Sequence, residues 1–523
     1  MIEAVKSRAD SALHPLARYL LAAASGAILS LAFPPIGFGW TVLPGTVLLL
    51  ALVITSSLRQ ALIVSFVAAA VFFLLLLRWL SVVGEDAWIL LSIVCAGYFV
   101  AMGAAIWLLS RFRLWPIWVA GAWVAQEWLR GTFPFGGFPW GNLAFSQVDT
   151  SFGRLSMVTG ALATSGLVVL CAGALIAGWQ GLRAGERRVA AGWLLGALGL
   201  VVLPLLLQPP TTGDLVGGAA TASVGVVQGG TPQTGLGAMD VRRAVLDNHT
   251  RQTMTLARDV ALGTVPKPDF VLWPENASDL DPNVDEAAAA AIGTSVRAMN
   301  VPVLVGAIVN VPGDPSSVWN QGILWDPVSG PGQTYSKTHP VPFGEYLPFR
   351  SVLAHLIDRF QRISRDFAAG DAPGLFDISG VDVGDVICFE IAYNAVIDPL
   401  IDGGARLLTV QTNNATYGDT SQPSQQLQIE RFRALETGRS VAVAATTGVS
   451  AFILPDGTIL RQLDQGQVGT MVESVPLRGS KNPSAFLGRP MAALWALSSV
   501  LLMIYVAARA FAARRSGRRR VAR

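Results

Sequence analysis

The sequence predicts a two-part architecture: a multi-pass α-helical membrane domain of about eight helices, and a polar α/β domain inserted before the last of them. Three observations carry that reading. Of the 523 residues, 52% are hydrophobic and only 14% charged, where an ordinary soluble domain carries about 25% charge; mean hydropathy is +0.48. Apolar runs of membrane-crossing length crowd the chain up to residue 207 and recur once near its end. Between them, short β-branched runs alternate with amphipathic stretches, the pattern of a layered α/β domain.

A bilayer core asks for roughly 17 to 25 apolar residues per helix. The candidate spans are 16–33, 39–56, 60–80, 87–110, 113–130, 155–179, 188–207 and 489–511. They organise the chain as helices over 1–207, an α/β domain over 208–488, a last helix over 489–511 and a basic tail over 512–523. Lys6 and Arg8 ahead of the first run give it the look of a signal peptide. Further apolar segments follow at once and no small-residue cleavage pattern stands out, so it reads as a retained helix.

Basic residues set the orientation. With the N-terminus inside, Arg59, Arg111, Arg113, Arg183, Arg187 and Arg188 fall on the cytoplasmic side, as do Arg514, Arg515, Arg518, Arg519, Arg520 and Arg523. Glu85, Asp86 and the aromatic stretch 131–153 fall on the other. Arg78, Arg130 and Arg154 near the outer helix ends run against the trend without reversing it. The region 208–488 is therefore expected outside the cytoplasm, tethered at both ends.

Within that region strands are expected at Thr221–Val227, Phe270–Trp273, Val303–Val309, Gly322–Trp325, Val383–Phe389, Leu407–Thr412, Ser440–Ala445 and Ser450–Ile453. Helices are expected at Ala238–Leu262, Asp285–Met299 and Ser424–Gly438. The last carries Gln428, Glu430, Arg431, Arg433 and Glu436 on its polar positions, with Arg433 and Glu436 reading as a structural bridge. No internal repeat or low-complexity linker interrupts the domain.

The net charge of +3, without a basic patch interleaved with aromatics, argues against nucleic acid as a partner. Cys95 and Cys171 fall within apolar segments, which leaves Cys388 without a disulfide partner. Metal-ligand spacing is absent, so no metal and no cofactor is expected.

Cys388 then stands out. It ends the apolar run Val383-Gly384-Asp385-Val386-Ile387, and Glu390 follows two residues later. Most free cysteines are small buried hydrophobes, but a strand end in an α/β sheet is also where side chains meet a ligand. Glu275 closes Val271-Leu272-Trp273-Pro274-Glu275, and Lys337 opens Lys337-Thr338-His339-Pro340-Val341-Pro342-Phe343-Gly344-Glu345. Acyl chemistry at a thiol needs a proton acceptor and a donor for the oxyanion. Glu275 fits the first role. Lys337 fits the second, and as a neighbouring ammonium it is expected to lower the thiol pKa. His339 is the only histidine near these motifs, and no Cys–His pair is suggested.

The order Trp-Pro-Glu, then Lys followed by Val-Pro-Phe-Gly-Glu, then Cys-x-Glu resembles the nitrilase, or carbon–nitrogen hydrolase, superfamily. The membrane helices, the run Val341 to Pro348 and the stretch Asn413-Asn414-Ala415-Thr416-Tyr417-Gly418-Asp419 narrow the resemblance to bacterial apolipoprotein N-acyltransferases, over essentially the whole chain. Departures are Phe389 where the family often has tyrosine, and Thr416-Tyr417 where it tends to have Trp-Phe. The resemblance implies a nitrilase-like αββα sandwich on the outer face of a bacterial cytoplasmic (inner) membrane, with both termini cytoplasmic. It implies a Glu275–Lys337–Cys388 triad, supporting acids Glu345 and Glu390, and Asn320 lining or bracing the site. Phe343, Tyr346, Phe349, Phe389, Tyr393 and Tyr417 become expected substrate-binding or lid residues, and Leu347, Phe349, Leu353, Leu356, Ile357 and Phe360 an apolar set able to dip into lipid. The implied reaction moves an acyl chain from a membrane phospholipid, through a Cys388 thioester, to the α-amine of an S-diacylglyceryl cysteine on an apolipoprotein. The implied partners are that phospholipid, that lipoprotein and the bilayer, with a monomer as the default.

Two rivals stand beside this. A membrane-anchored amidase would release the same acyl group to water, although seven leading helices exceed what an anchor needs. A transporter with an outer sensory domain would show Gly/Pro-broken paired helices, and none is evident. Phe133, Phe135, Phe138 and Trp140 form an outer-loop aromatic set, read equally as an interfacial belt or as substrate contact. Glu127 and Arg130 share a helix face near a membrane end and are expected to neutralise each other.

Overall fold

The computed structural model describes residues 14–237, 241–351 and 365–521. Of the expected apolar lid set, Leu353, Leu356, Ile357 and Phe360 lie outside the described residues, as do Lys6 and Arg8. The chain forms two compact units, Met1–Gln208 with Phe486–Arg523, and Pro209–Ala485.

The first unit is helical: α1 (Pro15–Ser30), α2 (Val42–Ile54), α3 (Leu58–Leu76), α4 (Glu85–Leu109), α5 (Trp115–Arg130), α6 (Ser151–Arg183), α7 (Arg187–Val202) and a closing helix Ser484–Val521. Local chemistry sets several starts. Pro15 opens α1, where a missing N–H costs nothing, and Ser57 with Gln60 forms a capping box at α3. Gly160 breaks α6 with a φ of 69°, a conformation glycine adopts without penalty. Close packing explains Gly26: a Cβ there would lie 2.0 Å from the Ala68 carbonyl of α3.

All eight expected spans fall on helices, and among the described residues five helices are long and apolar enough to cross a membrane: Leu58–Leu76, Glu85–Leu109, Ser151–Arg183, Arg187–Leu206 and Ser484–Arg509. The 16-residue α5 reaches only about 24 Å at 1.5 Å per residue, against a hydrocarbon core of about 30 Å.

One expectation in this unit is extended and one changes. Glu127 and Arg130 act on each other electrostatically, as expected, and each also engages a different part of the following loop. Arg130 donates to the carbonyls of Phe138 and Trp140 and to Asn142 Oδ1, each at 2.6 Å. Glu127 Oε1 accepts from Trp123 Nε1 and from the Leu143 amide, both at 3.0 Å. Trp140 belongs to the core and not to a belt: it is buried, edge-on to Trp79 at 5.9 Å and stacked on Phe138 at 6.4 Å. Phe133 and Phe135 remain exposed.

The second unit is a four-layer sandwich. Its strands are β1 (Thr221–Gln228), β2 (Phe270–Leu272), β3 (Val303–Val311), β4 (Asp314–Asp326), β5 (Gly330–Ser336), β6 (Asp366–Phe367), β7 (Leu375–Ile378), β8 (Val381–Ile387), β9 (Leu407–Thr412), β10 (Ser440–Ala445), β11 (Ser450–Ile453), β12 (Ile459–Leu463) and β13 (Gly469–Pro476). One sheet runs β13-β1-β2-β3-β4-β5 with β6 beside β4; the other runs β12-β11-β10-β9-β8-β7. The sheets face each other, joined by Gln411 Nε2 donating to the Trp273 carbonyl at 2.7 Å and Gln228 Nε2 donating to the Gly448 carbonyl at 3.1 Å. Helices α8 (Ala244–Ala261) and α9 (Glu286–Met299) cover the first sheet, with Leu246, Leu256, Ile292 and Val296 in one core with Val271, Val303, Val305 and Trp325. Helices α10 (Asn394–Asp402) and α11 (Gln422–Thr437) lie against the second sheet.

The β-branched runs expected as strands are strands, because they are buried on both faces and read as continuous apolar segments. The missed elements β5, β6, β7, β12, β13 and α10 are short, polar or at sheet edges, where that signal fails. The expected strand at Gly322–Trp325 extends back to Asp314. The expected strand ending at Phe389 stops at Ile387; of the expected helix from Ala238, residues 238–240 lie outside the described residues, and Ala244–Ala261 is helical. Helix α11 carries the expected Arg433–Glu436 bridge, and its polar positions point inward: Gln422, Gln425, Gln426, Gln428, Glu430, Arg433 and Glu436 are all buried.

Candidate active site

Four strand or loop ends converge at one edge of the sandwich. Strand β8 ends at Ile387, and Cys388 follows with a φ of 58°. A non-glycine residue in the left-handed region is strained and held by its surroundings. Here the holder is Glu390. Its Oε2 accepts from the Ile387 amide at 2.9 Å and from the Tyr335 hydroxyl at 2.8 Å. Its Oε1 accepts from the Thr338 amide (2.7 Å), the Thr338 hydroxyl (2.9 Å) and the His339 amide (3.0 Å). One carboxylate thus ties the turn bearing Cys388 to the loop bearing Lys337. Burial, then the Glu390 charge, pushes the Tyr335 phenol well above its usual range, so it remains a donor. From the other side Arg433 donates to the carbonyls of Ile391 and Ala392, both at 2.8 Å, while paired with Glu436 at 2.5 Å.

Glu390→Ala is expected to leave the buried Ile387 amide and Tyr335 phenol, and the part-buried Thr338 and His339 amides and Thr338 hydroxyl, without their acceptor, a loss of about 3–5 kcal/mol. Thermal denaturation in detergent micelles measures it; a midpoint near that of the wild type would contradict the clamp.

Lys337 and its partners form the second part. Lys337 extends the β5 edge, its amide donating to the Asn320 carbonyl at 2.9 Å. Its Nζ lies 3.3 Å from Glu275 Oε1 and 2.8 Å from Glu345 Oε1. Asn320 Nδ2 bridges the same two carboxylates, 2.6 Å from Glu275 Oε1 and 3.3 Å from Glu345 Oε1. The other oxygen of each acid is fixed by backbone: the Asn413 amide donates to Glu275 Oε2 and the Val341 amide to Glu345 Oε2, both at 2.7 Å. Burial opposes the Lys337 charge most strongly, but Glu275 and Glu345 outweigh it and hold the ammonium well above its usual range. Burial raises the Glu275 pKa despite Lys337 beside it, which suits a group that must accept a proton.

The thiol itself corrects one expectation. Lys337 does act to lower the Cys388 pKa, but burial and then the Glu275 carboxylate push it up further, and the net shift is upward. Cys388 rests as a thiol and not as a thiolate, because a fully desolvated sulfur gains more by keeping its proton.

The remaining expected residues divide. Phe343 and Phe349 are exposed and adopt φ values of 63° and 54°. Tyr346 joins their turn, its carbonyl accepting from the Phe343 amide at 2.7 Å. Leu347, expected to face lipid, is buried, its amide donating to Asp366 Oδ1 at 3.0 Å. Phe389 is buried with its ring 6.2 Å from Tyr417, and the Tyr393 ring lies 5.0 Å from His339. Burial, then the Cys388 sulfur, raises the Tyr417 pKa, which places that phenol within electrostatic reach of the thiol.

Sequence reading missed the amides beside the sulfur. Gln426 Oε1 lies 4.0 Å from Cys388 Sγ, and Glu430 backs it at 3.0 Å. Burial pushes the Glu430 carboxyl up to about 8. In the unfolded chain it ionises near its ordinary 4.5, so between those values the folded state holds the extra proton. Its stabilising contribution is complete below the lower value and is lost as pH rises through the upper one. Glu430→Gln is expected to match the wild type near pH 4.5 and to melt higher near pH 8; equal melting points at both would remove the buried proton.

A cysteine at a strand end stands in a helix-flanked double sheet, and over this unit a family profile described as "Carbon-nitrogen hydrolase" matches residues 264–481. A second, "Apolipoprotein N-acyltransferase N-terminal domain", matches residues 25–174. Among similar proteins, the apolipoprotein N-acyltransferase of Mycolicibacterium smegmatis is 35% identical over 496 residues, covering 92% of this chain and 83% of that one. That of Azotobacter vinelandii is 31% identical over 349 residues, covering 61% and 66%. The chain belongs to the apolipoprotein N-acyltransferase family. Among solved structures, an amidase from Nesterenkonia sp. AN1 is 18% identical, with a TM-score of 0.37, over 49% of this chain and 92% of that one.

Proposed function

We propose that this acyltransferase moves an acyl chain from a membrane phospholipid to the α-amine of an S-diacylglyceryl cysteine on an apolipoprotein, using Glu275, Lys337 and Cys388. The observation that carries the reading is Lys337 Nζ held between Glu275 and Glu345, with both Glu275 and Lys337 acting electrostatically on the Cys388 sulfur.

Glu275 takes the Cys388 proton as Sγ attacks the ester carbonyl, and Lys337 faces the oxyanion that develops. The ester C–O bond breaks, Glu275 returns the proton to the departing oxygen, and lysophospholipid leaves a thioester. The lipoprotein amine then attacks that carbonyl and loses a proton to Glu275. The C–S bond breaks, and the departing thiolate takes that proton from Glu275, which restores the thiol and the carboxylate. Both substrates are lipid-anchored, which supports a chain tethered by helices at both ends of its catalytic unit. The one-sided arginines support a multi-pass arrangement in a bacterial cytoplasmic membrane with both termini inside and residues 208–488 outside. Phe343 and Phe349 are proposed as lipid contacts of the acyl donor, and Tyr393 and Tyr417 as walls of the site.

The test supplies phospholipid and a diacylated lipopeptide to the full chain in micelles. N-acylated lipopeptide is the expected product. Free fatty acid alone would favour the amidase-like reading, in which water takes the acyl group.

A further inference from the structure

Resting on the reading of Cys388 as the acyl-carrying nucleophile, we propose that Gln426 is a positioning residue for that thiol. Its side-chain oxygen keeps the sulfur protonated and aimed until Glu275 takes the proton with substrate in place.

Gln426 is buried on α11, and each face of its carboxamide is engaged. Nε2 donates to Thr412 Oγ1 and to Glu430 Oε1, both at 3.0 Å. Oε1 accepts from Asn414 Nδ2 and from Gln422 Nε2, both at 3.1 Å. Asn414 Nδ2 also donates to Gln422 Oε1 at 2.8 Å, which locks those two amides together. Turning Gln426 over by itself would set its NH2 against two other NH2 groups, so the oxygen stays on the side facing Cys388 Sγ at 4.0 Å.

An oxygen at that place favours one protonation state. A thiol is a weak donor toward a carbonyl oxygen, whereas a thiolate would meet a lone pair. A hydrogen bond to the neutral form disfavours ionisation. The other groups acting on the sulfur are the Glu275 and Glu345 carboxylates, which oppose the thiolate, and the Lys337 ammonium and Thr412 hydroxyl, which favour it. The Tyr417 phenol is also within reach. Gln426 adds to the first set, and it does so through a geometry fixed by α11. Glu430 acts at one remove, by holding the Gln426 NH2.

The test is the pH dependence of Cys388 alkylation by iodoacetamide on the full chain in detergent micelles, read at Cys388 by peptide mass spectrometry. Gln426→Met keeps the length and removes the oxygen. It is expected to alkylate about threefold to tenfold faster below the thiol pKa, the size of one lost hydrogen bond, with a lower apparent pKa and slower acyl-adduct formation from phospholipid. Gln426→Asn, which withdraws the oxygen while staying polar, should shift the same way and carries the test if the methionine variant does not fold. Glu430→Leu should shift in that direction less strongly, and Glu430→Gln should lie closer to the wild type. Alkylation that is unchanged or slower in both Gln426 variants would overturn the proposal. If the alkylation shift appears but wild-type protein forms no acyl adduct, Gln426 still sets the thiol and the acyl-carrying reading of Cys388 fails instead.

Discussion

Cys388→Ala is expected to abolish the acyl adduct that the wild-type chain gains on incubation with phospholipid. Intact-mass measurement should show one added acyl mass on the wild type, labile to hydroxylamine, and none on the variant. Lipopeptide N-acylation should fall by at least about 10⁴-fold, the scale seen when a covalent nucleophile is removed. The reason lies in the strand end: Glu275 and Lys337 can orient a carbonyl and stabilise an oxyanion, but without Sγ nothing among them forms the covalent bond that divides the transfer into two steps. The fold should survive, because the turn is held by Glu390 and by Arg433 through main-chain atoms and not through sulfur. An adduct on Cys388→Ala would end the thioester mechanism.

Lys337→Met should cost nearly as much, for a different reason. Removing the ammonium leaves the Glu275 and Glu345 carboxylates facing each other in a buried site, with Asn320 as their shared donor. Two like charges so placed cannot both ionise. Glu275 is then expected to hold a proton and to fail as an acceptor, while the oxyanion loses its charged partner. Loss of one oxyanion donor alone is worth about 10²–10³ in rate; with the base also disabled, thioester formation should drop below detection. The stability cost of breaking a buried pair is about 3–5 kcal/mol, so the variant needs a folding control. Lys337→Met combined with Glu345→Gln relieves the repulsion and should restore the melting temperature without restoring the adduct. Full transfer activity in the single variant would remove Lys337 from the mechanism.

Much of the catalytic unit was legible because its cues are local. Runs such as Ser440–Ala445 and Leu407–Thr412 are buried throughout, so their composition alone marks them as strands. Glu275, Lys337 and Cys388 each close a strand or stand just past one, and chain position could mark them as neighbours of a common sheet edge. The membrane helices were legible as apolar runs, although α5 shows that a run of the right composition need not have the length to cross.

What the linear chain determined on its own was therefore the division into an apolar helical part and a polar α/β part, the strands buried on both faces, and the residue types at the site. What only the tertiary structure decided was how those groups act on one another. Helix α11 is polar along its length, yet it is buried, since its amides and charges are satisfied by Cys388, Thr412, Asn414 and the carbonyls of Ile391 and Ala392. The sign of the thiol shift was decided in the same way: a nearby lysine argues for a thiolate, but desolvation and Glu275 argue harder for the thiol. Hydrogen-bond satisfaction and desolvation depend on which surfaces close over a group, and residues far apart in the chain supply those surfaces.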